Sequence, residues 1–281
     1  MGNQLGKMER ICQGETEYLR FPEFEKYPFV RQAFSTRRGG VSGGPFSSMN
    51  LAFGRGDPDE NVLENYHRLC AAAGIPFSSL VSAVQVHSDR VLRVGAADRG
   101  TGIFRPPFPE SADALVTNTP GVTLVIHTAD CVPIFLLDPE HRAVGLAHAG
   151  WRGTALRIGK AAVMTMEREF GSRPEKLLAG IGPSIGPCCF EVDPPVRDVF
   201  ASMKEIGPEG FIRGGVGEKS YIDLWEANRR ILESAGVPEK SITEAGICTK
   251  CHADRFFSHR AAGEKRGGLS AFLGIAGEEN P

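Results

Sequence analysis

The 281-residue chain has no apolar run near the roughly 20 residues that a membrane-crossing helix needs. It also lacks a dominant charge, since 32 Lys and Arg against 34 Asp and Glu leave a formal net charge of −2. Such a balance gives no long-range pull toward nucleic acid or an anionic membrane, so neither partner is expected. An anionic ligand would have to be held by arginines or lysines placed locally. The first stretch, MGNQLGKMERIC, has no apolar segment of the secretory kind, and the expected compartment is the cytoplasm. Internal repeats, low-complexity tracts and linker-like stretches are missing as well. The expectation is one compact domain over residues 1–281, with residues 1–20 at its periphery, as a monomer or small homo-oligomer. The 7 cysteines are an odd number scattered along a long chain, which argues against a disulfide framework. They are left as core residues, metal ligands or nucleophiles.

What is present is an alternation of strands and helices. Asp57-Pro58 reads as the cap and first turn of a helix over Asp59–Ala72. Leu80–Val91 reads as a strand ending near His87, and Val122–Asp138 as strand, break, strand, with the break at His127–Cys131. Asp138–His141 is a turn, and the segment from Arg142 returns as the second arm of a hairpin that ends at His148. Apolar residues at helical spacing predict a helix over Thr154–Phe170 closed by Gly171, and another over Asp223–Ala235 stopped by Gly236. Ser241–Cys248 and Ser270–Ile275 read as late strands. Hairpins mixed with helices point to α/β architecture with mixed α+β sheets rather than a purely parallel one. The Gly- and Ser-rich segment 35–61 is long for a loop and carries Arg37, Arg38 and Arg55.

Three candidate ligands stand at predicted strand ends: His87, Cys131 and His148. Two imidazoles and a thiolate suit zinc, and three protein ligands leave a fourth position for water or substrate, the pattern of a catalytic site. Two other readings use the same residues. Cys131 is a thiolate nucleophile with His148 as its base, or the three are a buried cysteine beside rim histidines.

In chain order, QVHSDRV, HTADCVPI, AHAGWRGT, IGPSIGPCCFEV and FFSHR resemble the bacterial laccase-domain family, once labelled multicopper polyphenol oxidase and now regarded as purine nucleoside phosphorylase. The resemblance runs from about residue 34 to residue 275. It implies a single mixed α/β domain similar to cysteine-dependent toxin deamidases, with one zinc per chain on His87, Cys131 and His148. The implied partners are purine nucleosides and phosphate: inosine, adenosine and methylthioadenosine phosphorolysis to base and ribose 1-phosphate, with adenosine deamination beside it. The sequence itself opposes a four-copper laccase centre, which draws on paired His-x-His motifs. The chain has 7 histidines and no such pair. The alternatives outside this class are a cysteine-dependent hydrolase or deamidase and a non-enzymatic zinc protein.

Within the implied activity, Arg152 is a candidate phosphate clamp four residues after His148, and Arg37 and Arg55 are candidate phosphate contacts. Asn50, in the family's Ser-Met-Asn segment, is a candidate for nucleoside hydroxyls or base. Gln85 falls on the same strand face as His87. Asp130 is a candidate base or orienting group for a ligand histidine. Trp151 and Phe190 offer rings for a purine. The vicinal Cys188-Cys189 reads as a reduced pair near the pocket, and Cys248-Thr-Lys-Cys251-His252 spells haem attachment or half a zinc site; without a secretory segment haem is not expected, and Cys188 or Cys189 could complete a second zinc. The sequence departs from the family at one point. Where the family carries Thr-Gly-Arg before its last strand, this chain has Arg266-Gly267-Gly268, leaving Lys265 or Arg266 to replace the arginine.

Overall fold

The computed structural model describes residues 4–277. Strands β1 (Gln4–Leu5), β2 (Met8–Gln13), β3 (Thr16–Arg20) and β4 (Val30–Ser35) form an antiparallel meander. Helix α1 (Asp59–Ala73) follows, then strands β5 (Leu80–Ser82), β6 (Val91–Arg93), β7 (Ala114–Thr117), β8 (Val122–Thr128), β9 (Val132–Asp138) and β10 (Ala143–Ala149). Helices α2 (Trp151–Ala155) and α3 (Ile158–Phe170) lead into β11 (Leu178–Ile181) and β12 (Glu191–Val192). After them come α4 (Pro194–Ala201), β13 (Ile212–Gly214), β14 (Ser220–Ile222), α5 (Leu224–Ser234), β15 (Ile242–Glu244), α6 (His259–Ala262) and β16 (Leu269–Ile275). The first sheet has the order β1-β2-β3-β4-β16-β8-β5, the second β15-β11-β9-β10-β7-β6, and a small third β12-β14-β13. Parallel pairs (β5 with β8, β6 with β7, β11 with β15) sit among antiparallel ones, so the expected mixed sheets are what forms.

Side-chain alternation stacks these elements into layers. Leu124 and Ile126 of β8 meet Phe135 and Leu137 of β9 between the two large sheets. Val125, between them in sequence, faces Val62, Tyr66 and Leu69 of α1 on the outer side. Ile134 and Leu136 of β9 turn the other way, onto Ile158, Ala162 and Met166 of α3 and Ile231 of α5. Strands buried on both faces carry near-continuous apolar sequence, and all seven residues of β9 are buried.

The break after β8 is where the chain leaves the first sheet for the second. A similar crossing joins β5 to β6, and a third runs from β15 back to β16. The site described below lies along this seam.

Four expectations change. The strand predicted over Leu80–Val91 is two short strands in different sheets, and the segment carrying His87 is a loop. The helix predicted over Thr154–Phe170 starts earlier and is split into α2 and α3 at Arg157, whose φ of 62° is left-handed. The late strand predicted over Ser241–Cys248 shrinks to β15. The N-terminal residues placed at the periphery instead extend the first sheet and bury Met8 and Leu19; residues 1–3 lie outside the described part.

Phe21 shows how firmly that segment is fastened. Its ring lies 5.4 Å from that of Phe135 and 5.7 Å from that of Phe24, and an added Cβ on Gly180 would come within 2.5 Å of it. The amide of Gln32 pairs with both backbone groups of Phe21. Emptying a site this closely packed removes transfer energy and leaves a cavity, so Phe21→Ala is expected to cost about 3–5 kcal/mol. Urea unfolding checks it, and a loss below about 1 kcal/mol would mean the N-terminal strands are dispensable.

Candidate metal centre and active site

His148 is the last residue but one of β10, which pairs with β9 so that His148 faces Pro133, two residues after Cys131. On its other edge β10 pairs with β7, Ala147 opposite Ala114, and this register sets Asp113 beside His148. The His148 N–H donates to Asp113 O at 2.7 Å, and His148 Nδ1 is 2.9 Å from Asp113 Oδ1. The same carboxylate receives the backbone N–H groups of Val86, His87 and Ser88 at 3.2, 2.9 and 2.6 Å, and the Ser88 hydroxyl at 2.8 Å. One buried aspartate thus holds both the loop that presents His87 and the ring of His148. The loop needs the support, since His87 has a φ of 62°, a left-handed conformation unfavourable for a residue with a Cβ.

Cys131 is aimed by a second such corner. Asp130 has a φ of 87°, and its carboxylate accepts from Thr249 Oγ1 (2.6 Å), Ser258 Oγ (3.0 Å) and the Arg260 N–H (2.6 Å). The role of holding a ligand histidine, expected of Asp130, falls to Asp113 instead. Cys131 Sγ lies 3.9 Å from His87 Nε2, and one donor atom from each of His87, Cys131 and His148 falls within 4.8 Å of the others. The three residues can hold a metal ion. Gly150 closes the cradle: a Cβ there would stand 2.8 Å from both Cys131 Sγ and His87 Cδ2. Gly150 is also the residue from which α2 begins, so the chain turns into the helix directly behind the ligands.

Burial alone would raise the Asp113 carboxyl, but His148 and the Ser88 groups hold it down at about 2. An ionised carboxylate can only accept, so His148 Nδ1 donates and Nε2 is the nitrogen left for the centre. Burial would raise the Cys131 thiol, but His148 and His87 bring it down to about 6. Burial would lower His148, but Cys131 and Asp113 push it up to about 9. Without metal both shifts favour a thiolate beside an imidazolium.

Two clefts meet at this centre, of about 570 Å³ and about 360 Å³, and both reach His87, Cys131, Arg55 and Arg266. Trp151, Phe190, Ile185, Leu224 and Asp130 line the larger; Gln85, His127 and His148 line the smaller. Arg266 is 7% exposed, its Nε has no partner among the described residues, and burial and the charge of Arg55 lower its pKa. His127 is kept neutral, lowered to about 4 by burial and then by the charges of His148 and Arg55. Its ring nitrogens face Ser82 Oγ at 3.2 Å and Ser270 Oγ at 3.0 Å.

The remaining candidates separate. Gln85 reaches the smaller cleft but spends its amide on the backbone of His127, at 2.6 and 2.7 Å. Asn50 is 0% exposed, bonded to Ala52, Asp57 and the Gly268 N–H, so it supports the long loop and has no surface for a nucleoside. Arg37 donates to Ser47 O and Ala253 O with its guanidinium over Phe257, and lines neither cleft. Arg152 is exposed, lies over the Trp151 ring, and also lines neither. Gly268 packs against Ala52, 2.5 Å from where its Cβ would be, so this chain has no room for the family's arginine there, and Arg266 is the arginine that faces the clefts. Asp113 is absent from the sequence expectations; an acidic residue directly heading an apolar strand, as in Ala112-Asp113-Ala114, is the signal that marks it.

A family model described as multi-copper polyphenol oxidoreductase laccase matches residues 31–276. The chain belongs to this enzyme family. A purine nucleoside phosphorylase of Bacteroides thetaiotaomicron is 38% identical over 250 residues, covering 89% of this chain and 93% of that one. A protein named adenosine deaminase RL5, from an unknown prokaryotic organism, is 38% identical and covers 90% and 98%. The crystal structure of YlmD from Geobacillus stearothermophilus aligns with a TM-score of 0.86 at 35% identity, over 95% and 98% of the two chains.

Two outcomes follow from the electrostatics. Asp113→Asn removes the charge that orients His148 and the loop of His87, and a lost supporting group of this kind costs roughly 10–100-fold in metal affinity; competition titration with a chromophoric chelator checks it. In metal-free protein, alkylation of Cys131 is expected to rise through about pH 6 and stay flat above it, and added zinc should suppress it. Mass-spectrometric rates that climb only through an ordinary thiol range, about pH 8.5, would contradict the thiolate–imidazolium pair.

Proposed function

We propose that this protein is a zinc-dependent purine nucleoside phosphorylase that cleaves inosine, adenosine and methylthioadenosine to base and ribose 1-phosphate, with adenosine deamination as a side activity. The observation that carries the reading is a buried, incompletely bonded Arg266 beside Arg55 where two clefts meet a His-Cys-His ligand set. A buried guanidinium without a carboxylate is costly and calls for an anion. The printed names of the relatives supply the substrate class.

Phosphorolysis breaks the bond between C1′ of ribose and the purine nitrogen and joins C1′ to a phosphate oxygen. Positive charge develops on the sugar, so an anion must already stand beside it. Arg55 and Arg266 hold phosphate at the junction and fix its approach. Trp151 and Phe190 flank the purine in the larger cleft, whose apolar floor of Ile185 and Leu224 keeps water from the leaving base. Zinc bound there would supply Lewis acidity toward an oxygen of phosphate or of water. His87, His148 and Cys131 would hold it, and Asp113 keeps His148 in the required tautomer. The reading includes a cytoplasmic location, with no nucleic-acid or membrane partner; among the described residues no helix is long and apolar enough to cross a membrane.

One specific observation favours a second reading. Cys131, His148 and Asp113 form a thiolate, an imidazolium and an orienting carboxylate, the arrangement of a cysteine-dependent hydrolase. Chelation separates the two, since the hydrolase needs no metal.

The test is nucleoside incubated with and without phosphate and chelator, read by chromatography. Base release should require phosphate, yield ribose 1-phosphate and stop with chelator; full release without phosphate would mean hydrolysis. Arg266→Met should raise the KM for phosphate on the order of 10–100-fold, the loss of a charge-assisted hydrogen bond of about 1.5–3 kcal/mol, while the nucleoside KM moves little.

A further inference from the structure

The sequence offered Cys248 and Cys251 as half a metal site with Cys188 or Cys189 as a candidate completion, and the fold gathers all four cysteines. Cys188 and Cys189 follow β11 in a Gly-Pro loop, Cys248 and Cys251 follow β15, and β11 pairs with β15. Backbone bonds continue that pairing past the strands: the Ser184 N–H donates to Ile247 O and the Thr249 N–H to Ser184 O. The four Sγ atoms lie within 4.8 Å of one another. Cys188 Sγ and Cys189 Sγ are each 3.5 Å from Cys251 Sγ, and all four thiols are free. Sulfurs bonded to one tetrahedral zinc at ~2.3 Å stand roughly 3.8 Å apart, whereas a disulfide holds two of them at about 2.05 Å. The observed spacing is too long for a disulfide and accommodates one shared ion. The surroundings agree. The Gly186 N–H donates to Cys248 Sγ at 3.3 Å, the kind of bond that supports a thiolate. Gly186 allows this approach because a side chain there would strike Trp225, at 2.8 Å, and Cys248 Cβ, at 3.2 Å. His252 stands outside the group, with its N–H bonded to Cys248 O.

We propose that Cys188, Cys189, Cys248 and Cys251 bind a second metal ion, a thiophilic divalent cation of the zinc type, in a closed four-thiolate site. Each thiol gives its proton to solvent as its sulfur bonds to the ion, and no oxidant or reductant is involved. Four protein ligands leave no open position, so this ion is structural. It staples the loop that leads into Phe190, Glu191 and Asp193 to the loop that leads into His259 and Arg260, and all five of these residues line the larger cleft.

The full chain, purified anaerobically with reductant and loaded with zinc or with cobalt, tests the proposal. Zinc content should be two per wild-type chain, one in His148→Ala and one in Cys251→Ser. The His148→Ala protein loaded with cobalt should show intense sulfur-to-cobalt charge-transfer bands and the visible bands of a tetrahedral tetrathiolate. Cys188 and Cys251 are exposed, so serine there removes little packing; should Cys251→Ser fail to fold, Cys188→Ser and the cobalt spectrum of His148→Ala still decide. One zinc in wild type and none in His148→Ala overturns the site. So does a cobalt spectrum without thiolate bands, or a mass under non-reducing conditions showing two of the four joined as a disulfide.

Discussion

The carboxylate of Asp113 is the interaction on which the site depends. It sits directly before β7, fully buried, and accepts five hydrogen bonds from two places in the chain: four from the loop of His87, the Ser88 hydroxyl among them, and one from the ring of His148. A buried carboxylate is tolerated only when its lone pairs are met, and here meeting them is also what builds the ligand set. The strained backbone at His87 persists because three N–H groups converge on that one acceptor. The depressed pKa of Cys131 comes next in line, since it relies on a charged His148, which Cys131 itself and then Asp113 hold in that form against burial.

Around that anchor the charges are arranged in opposition. Cys131 and Asp113 supply negative charge at the seam, and Arg55 and Arg266 line the clefts that reach Cys131. The chain's near-neutral total hides this local separation, which a composition-level reading registers only as the need for some arginine somewhere. Arg55 and Arg266 are the arginines that line both clefts, whereas Arg37 is committed to two carbonyls and a phenyl ring and Arg152 to the face of Trp151.

Much of the frame was legible in the sequence. Helix α1 with its Asp57-Pro58 entry, the β9–β10 hairpin and the last strand all carry periodicity or turn chemistry strong enough to read, and Cys131 and His148 could be paired because a hairpin relates them locally. His87 was identified by residue type, while its true setting, a loop between sheets, depends on contacts with Asp113 that no local pattern encodes. The split between α2 and α3 carries no glycine or proline: Arg157 adopts a left-handed φ under tertiary constraint, against its propensity. Asn50 stood as a candidate for binding a ligand because it falls in the family's Ser-Met-Asn segment. The structure gives the loop itself as that ligand.

The placement of the ligands along the seam has a consequence for how the molecule matures. His87 and Cys131 ride on the two crossings from the first sheet to the second, and His148 belongs to the second alone. A chain in which only one sheet has formed presents no coherent ligand set, and one whose sheets have docked out of register presents a distorted one. Metal capture would therefore act as an inspection of tertiary assembly: an ion held by these three residues would select, from all compact forms of the chain, those in which both halves have met correctly.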